Sequence, residues 1–269
     1  YLVKRARGKL MLRIDDMDSQ RIRPAYIEDM FRSLEWLGIE WEEGPTTPDE
    51  FEKHHSQHHR LDLYQGALDR LEKETDALFG CSLSRKEIKA LSIDGRYPAA
   101  GPLQQLPLSS PDIAWRFKTA PDLPVKFHDH FRGNVSIDLF QEMRGFVIRR
   151  KDGLPAYQLT SLVDDLYFGI NTIIRGEDLL PSTAAQLAIA KTLGRYTFSQ
   201  VGFYHHPLIT DSSGQKLSKS AGSSSLKAMR EAGIPVSKVY HTFCKQCKWP
   251  LANNLEELVT FAPDIKNIP

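Results

Sequence analysis

GFVIRRKDGLPAYQLTSLVDDLYFGINTIIRGEDLLPSTAAQ, Gly145 to Gln186, is the stretch on which the fold turns. It opens on a short apolar run, FVIRR (Phe146 to Arg150), of the kind that suits a buried strand. A helical pattern follows from Ala156 to Phe168, then a second strand-like run, NTIIR (Asn171 to Arg175). Another helix is expected to begin near Ser182, where Thr183 with Gln186 makes a capping box ahead of LAIAKTL and Gly194. Strand, helix, strand and helix in this order imply a parallel, doubly wound α/β sheet.

Two more apolar runs fit the same sheet: KLMLRI (Lys9 to Ile14) and VGFYHHPLI (Val201 to Ile209). Pro24 opens a helix whose apolar residues recur at Ile27, Phe31, Leu34 and Leu37, and Gly38 closes it from the C′ position. By contrast, Cys81 to Pro124 is rich in Gly, Pro and Ser and reads as loop. Phe79 to Ile137 is therefore expected to be an insertion between two halves of one nucleotide-binding sheet. The expected domains are residues 1–78 and 138–222 as the two halves, 79–137 as the insertion and 223–269 as a short helical C-terminal segment.

Charge narrows the function classes. The 35 basic residues nearly balance the 34 acidic ones for a net charge of +1, so any contact with nucleic acid must use a local patch. No apolar run approaches the ~20 residues that span a bilayer. Three cysteines, Cys81, Cys244 and Cys247, are too few for a disulfide framework, and no secretory pattern opens the chain, so a cytoplasmic setting is expected.

The run GQKLSKSAG, Gly214 to Gly222, carries two lysines three residues apart on a hydroxyl-rich segment preceded by the turn DSSG. Two ammonium groups with serine donors beside them can wrap a polyphosphate; a solvated loop is the alternative. KLSKS resembles the second signature loop of the class I aminoacyl-tRNA synthetases, whose lysines meet ATP phosphates. The likeness extends to the glutamyl-tRNA synthetase family with its short glutamyl-Q tRNA(Asp) synthetase branch. LRIDDMD (Leu12 to Asp18), SLEWLGIEWEEG (Ser33 to Gly44), the Gly145 to Gln186 block and HHPLITDSSGQKLSKS all match it in one order.

What the resemblance implies can be written residue by residue. Arg13 and Asp15 stand where the family binds its amino acid, Asp15 facing the α-ammonium; the glutamate enzymes carry Glu there and the glutaminyl enzymes Asp. Tyr157 matches the tyrosine that packs on the substrate, and Arg175 the arginine that holds the side-chain carboxylate. A guanidinium grips a carboxylate through paired hydrogen bonds and disfavours neutral glutamine, so the pocket is expected to read glutamate despite Asp15. Asp165 and the Glu177–Asp178 pair support the rim. His206 and Leu208 lie in the segment that meets adenine, and Lys216, Ser218 and Lys219 meet the phosphates. Lys216 and Lys219 are the expected catalytic pair, acting by neutralising charge; neither His205 nor His206 is assigned a proton-transfer role. Magnesium is expected to arrive with ATP.

Short members of the family bind zinc in the insertion. Here Cys81 and Tyr97 persist, but Phe79 and Gly101 stand where thiolates would, so zinc is expected to be absent. Cys244 and Cys247 read as residues of a helix face, and His54, His55, His58 and His59 as a solvated helix start. The family's first strand and HIGH-like turn would lie ahead of Tyr1. Residues 221–269 are too few for the appended anticodon-binding domains of the longer members. The leading expectation is a monomer that activates glutamate and transfers it to the queuosine base of tRNA(Asp), docking RNA along Arg144, Arg149, Arg150 and Lys151. Acylation of a tRNA 3′ end and a non-catalytic tRNA- or glutamate-binding role are the alternatives.

Overall fold

The computed structural model describes residues 1–18, 22–92, 97, 105–208 and 225–261. In chain order the elements begin with α1 (Leu2–Arg5), α2 (Pro24–Leu37), α3 (Pro48–Glu50) and α4 (Leu61–Glu74). They continue with β1 (Leu78–Cys81), α5 (Arg85–Leu91), β2 (Ala114–Phe117), β3 (Val125–Asp129), β4 (Gly133–Ile137) and α6 (Leu139–Glu142). Then come β5 (Phe146–Arg149), α7 (Tyr157–Tyr167), β6 (Thr172–Gly176), α8 (Leu180–Thr192) and β7 (Gly202–His206). Helices α9 (Leu226–Glu231), α10 (Ser237–Cys247) and α11 (Leu255–Phe261) complete the set. None of the described helices is long and apolar enough to cross a membrane.

The chain divides into two compact units, one of residues 1–59 with 208–269 and one of residues 60–207. The first is largely helical. Helix α2 forms as its sequence demands, with proline in the first turn and Gly38 at φ +66°, a left-handed cap that glycine adopts without strain. Arg230 of α9 ties to it through Asp29 at 2.5 Å and Ser33 at 2.6 Å. A separate apolar cluster gathers Tyr240, Cys244, Trp249, Ala252 and Leu258, which places Cys244 on the inner face of α10 as expected.

KLMLRI is not a strand. It makes one parallel bridge, Met11 to Glu43, closed by Leu12 N–H donating to the Glu43 carbonyl at 2.9 Å. Its composition suits a strand, but the ladder ends after this pair because the chain turns at Gly44. There φ is +101° and a Cβ would sit 2.1 Å from the Leu12 oxygen, so only glycine fits.

All seven strands among the described residues lie in the second unit, in two sheets. The four-stranded sheet runs β4-β3-β7-β6; β7 is parallel to both β3 and β6, and β4 is an antiparallel edge. NTIIR and VGFYHH thus become adjacent parallel strands, as expected. FVIRR does not join them: β5 pairs antiparallel with β2 in the sheet β1-β2-β5. Its burial alternates, Phe146 and Ile148 inward with Val147 and Arg149 less covered, which is the signature of an antiparallel strand with one wetter face. Strands β3 and β4, from the stretch expected to be an insertion, hydrogen-bond into the sheet that holds β6 and β7.

Helices α4, α7 and α8 share one core with both sheets, through residues such as Leu68, Leu71, Ile148, Leu159, Ile189 and Phe203. Helix α8 is buried on nearly every side, which its run of Ala, Leu and Ile permits. A buried ion pair joins α4 to α7: Arg60 meets Asp164 at 2.9 and 3.1 Å, and Tyr64 donates its hydroxyl to Asp164 at 2.7 Å. Burial, then the hydrogen bond to Asp164, pushes the Tyr64 phenol well above its usual range, so it stays protonated and donates. Removing one partner strands a charge in the core. Asp164→Ala should lower unfolding stability by about 3–5 kcal/mol in urea titrations and Tyr64→Phe by about 1–2 kcal/mol; losses below about 1 kcal/mol for Asp164→Ala would show that the pair is dispensable.

Candidate active site

Ligands of open α/β sheets bind beyond the carboxyl ends of parallel strands. Here those ends belong to β3, β6 and β7, and the register of the last two pairs Arg175 with His205 and Gly176 with His206. The sequence-predicted residues Arg175, Glu177 and His206 therefore gather at one sheet edge, and the segment continues through Pro207 to Leu208. Tyr157 opens α7 and is 39% exposed, so its ring is available to a ligand rather than committed to the core.

The inward face of β7 holds a buried polar relay. His205 is fully buried; its Nδ1 lies 2.6 Å from Asp129 Oδ2 and its Nε2 lies 2.8 Å from Thr183 Oγ1. The carboxylate requires a proton on Nδ1, so Nε2 accepts from the threonine hydroxyl. Asp129 Oδ1 accepts from the backbone N–H of Phe131 and Arg132, both at 2.9 Å, which fixes the turn between β3 and β4. Burial raises the Asp129 pKa, but the hydrogen bonds from His205 and these amides outweigh it and hold the carboxyl below its usual range. Burial pushes the His205 imidazolium down, and the charges of Arg175 and Arg132 act the same way against Asp129. His205 is therefore neutral and structural.

That fixed turn delivers Arg132, which the sequence reading did not single out. Its Nη2 pairs with Glu177 and its Nε donates to the His205 carbonyl at 3.3 Å. Arg175 donates from Nη2 to Gln186 Oε1 at 2.9 Å. Thr183 and Gln186 are thus not a capping box. Leu179 is the N-cap of α8, and both side chains point into the interior, where His205 and Arg175 take them. Asp165 is buried in α7, but the side chain that carries the Arg60 pair is its neighbour Asp164.

In the other unit, Arg13 Nε meets Asp15 Oδ1 at 2.8 Å. Asp16, not named from the sequence, is buried and accepts from Ser56 Oγ at 2.5 Å and Gln57 N–H at 2.7 Å. Gln57 also reaches Asp15 Oδ1 at 3.3 Å and accepts from Met17 N–H at 3.2 Å. Ser56 and Gln57 hide inside EKHHSQHHR; the four histidines are the more solvent-facing residues, and these two are buried, as is Arg60 at its end. Lys216, Ser218 and Lys219 lie outside the described residues.

Phe79, Cys81 and Tyr97, named for the zinc positions of the family, form a packing cluster. Phe79, Cys81, Ile88 and Tyr97 are buried together, with the Phe79 and Tyr97 rings 5.5 Å apart and the Arg116 guanidinium 4.6 Å from the Tyr97 ring centre. Gly101 lies outside the described residues. The cations expected to dock RNA are engaged locally: Arg149 over Trp115, Arg150 with Asp152, Arg144 on the Tyr97 carbonyl and Lys151 on the Ser82 carbonyl.

The relay carries a pH dependence. Between the lowered folded pKa of His205 and its ordinary 6.5, the unfolded chain binds a proton that the folded chain refuses, so stability falls as pH drops below about 6.5. Denaturant midpoints should decline from about pH 7 to about pH 5, and His205→Gln, which can serve both Asp129 and Thr183, should remove much of that decline. An unchanged slope in the variant would assign the acid sensitivity elsewhere.

The chain matches the family model described as tRNA synthetases class I (E and Q), catalytic domain, over residues 1–98 and 108–262. The glutamyl-Q tRNA(Asp) synthetase of Dechloromonas aromatica is 36% identical over 238 residues, which cover 86% of this chain and 74% of that protein. The glutamate–tRNA ligase of Sulfurihydrogenibium is 34% identical over 255 residues, 90% of this chain but 52% of the ligase. In fold, the chain is similar to a crystal structure of a glutamate tRNA ligase from Elizabethkingia meningosepticum in complex with its amino acid, with a TM-score of 0.75 at 24% identity over 99% of this chain and 60% of that one. The mixed α/β architecture with its parallel sheet is thus the Rossmann-like one expected, and the chain belongs to the class I tRNA synthetase family specific for E and Q, as part of its catalytic domain.

Proposed function

We propose that this chain is the catalytic region of an ATP-dependent ligase that activates glutamate as glutamyl adenylate and transfers it to the queuosine base of tRNA(Asp). The observation that carries the reading is the placement of Arg175 at the carboxyl end of β6, anchored by Gln186 beside a neutral His205. A guanidinium so held suits a side-chain carboxylate, and neutral glutamine would leave its charge poorly matched. The similarity to a glutamyl-Q tRNA(Asp) synthetase over 74% of that protein's length supports the choice of acceptor, as does that of a second from Nitratidesulfovibrio vulgaris at 32% identity over 75% of its length.

The roles then distribute as follows. Arg175 holds the γ-carboxylate, Tyr157 packs on the aliphatic part, and Asp15, with Arg13 beside it, serves the α-ammonium. The α-carboxylate attacks the α-phosphorus of ATP, the bond to pyrophosphate breaks, and no side chain needs to take a proton. His206 and Leu208 serve the adenine. Lys216 and Lys219, with Ser218, neutralise the charge that develops on the leaving phosphates. Magnesium would shield phosphate charge when it accompanies ATP. Glu177, through Arg132, and Asp165 support the rim. Residues 1–78 and 138–222 act as the two catalytic halves and 79–137 as the insertion, with β3 and β4 the part of it that joins the sheet.

Arg175→Ala in the full-length protein should abolish glutamate-dependent exchange of pyrophosphate into ATP; exchange at the wild-type rate would remove Arg175 as the clamp. Charging assays with tRNA(Asp) carrying or lacking queuosine decide the acceptor. Transfer that needs the modified base is expected, and transfer to both would favour the 3′ end. Elemental analysis should find less than one zinc per chain, because Phe79 fills the ligand position with a ring; stoichiometric zinc would contradict that assignment.

A further inference from the structure

Helix α8 begins with a polar face that its burial does not favour. Ser182, Thr183 and Gln186 are 8%, 0% and 0% exposed, within a helix that otherwise buries Ala184, Ala185, Leu187 and Ile189. A buried hydroxyl or amide is costly without a partner, and each of these three reaches a different element through its oxygen, while Gln186 Nε2 is buried with no hydrogen-bond partner among the described residues. Ser182 accepts from Gln158 of α7 at 3.0 Å, Thr183 bonds His205 of β7 at 2.8 Å, and Gln186 accepts from Arg175 of β6 at 2.9 Å. The first two bonds lock the helix against its neighbours. The third does something else, since it ends on the guanidinium of a long side chain.

A side chain ordered before its ligand arrives does not lose rotamer freedom on binding, and affinity rises accordingly. Gln186 cannot swing away, because it is fully buried in a helix pinned through Ser182 and Thr183, one turn before it. We infer that Gln186 is a positioning residue that determines specificity: it sets the plane and reach of the Arg175 guanidinium so that the site selects a side-chain carboxylate. This inference rests on the reading of Arg175 as the glutamate clamp. It also explains why Gln186 presents an amide oxygen there: a carboxylate in its place would hold the guanidinium equally well but would repel the anionic substrate.

Two variants of the full-length protein test the inference by pyrophosphate exchange, glutamate calorimetry and thermal unfolding. Gln186→Met keeps the length and removes the acceptor; it should raise the KM for glutamate roughly ten- to hundredfold, with the KM for ATP unchanged. Gln186→Glu keeps both volume and acceptor, so its unfolding temperature should match or exceed wild type while glutamate binding still weakens. Recovery of wild-type glutamate binding in Gln186→Glu would make the residue structural only and overturn the inference. So would a parallel rise of both KM values in Gln186→Met, or no rise in either. Should Gln186→Met fail to fold, Gln186→Glu alone gives the decision. If Arg175→Ala leaves glutamate binding intact, the clamp itself is wrong; if Arg175→Ala abolishes binding and both Gln186 variants are silent, only the positioning role is lost.

Discussion

The second unit depends on one buried imidazole. His205 is closed off from water between the Asp129 carboxylate and the Thr183 hydroxyl, and each of those partners belongs to a different element. A buried polar group that is fully paired stabilises one arrangement and penalises every other, because any slip leaves a donor or an acceptor unmet in the core. The relay therefore fixes the hairpin of β3 and β4, the strand β7 and the first turns of α8 against one another. Arg132 and Gln186 inherit their positions from it, and through them Glu177 and Arg175 inherit theirs.

Much of this arrangement was legible in the sequence, and the reason differs from element to element. Helix α2 was readable because Pro24, a clean apolar period and Gly38 each impose a local constraint that tertiary packing does not override. Strands β6 and β7 were readable as short apolar runs flanking a buried helix. KLMLRI failed because composition reports burial but not ladder length, which Gly44 cuts short. FVIRR failed in its partner rather than its type; Phe146, Val147 and Ile148 are all apolar, so the alternation of covered and less covered residues that marks the strand as antiparallel shows only in the fold. At Thr183 and Gln186 the capping-box pattern coincided with the start of a helix, yet both side chains turn inward because His205 and Arg175 need them more than the helix end does.

The candidate site residues were named only through resemblance, and the residues that hold them in place were not named at all. Arg175 and Tyr157 stand in a recognisable block, whereas Asp129, Arg132, Gln57 and Ser56 are ordinary polar residues whose roles come from long-range contacts across 40 to 76 positions. Phe79, Cys81 and Tyr97 show the converse: the sequence singled them out for their chemistry, and in the structure they are buried together with Ile88 while the Arg116 guanidinium covers the Tyr97 ring.

The central claim is that the guanidinium anchored at the end of β6 recognises a carboxylate and not an amide. Calorimetric titration of the full-length protein with glutamate and then with glutamine, under identical buffer and ATP-analogue conditions, tests it most directly. The account predicts heat and saturation with glutamate and weak or no binding of glutamine. Equal affinity for the two amino acids, or a preference for glutamine, would contradict it.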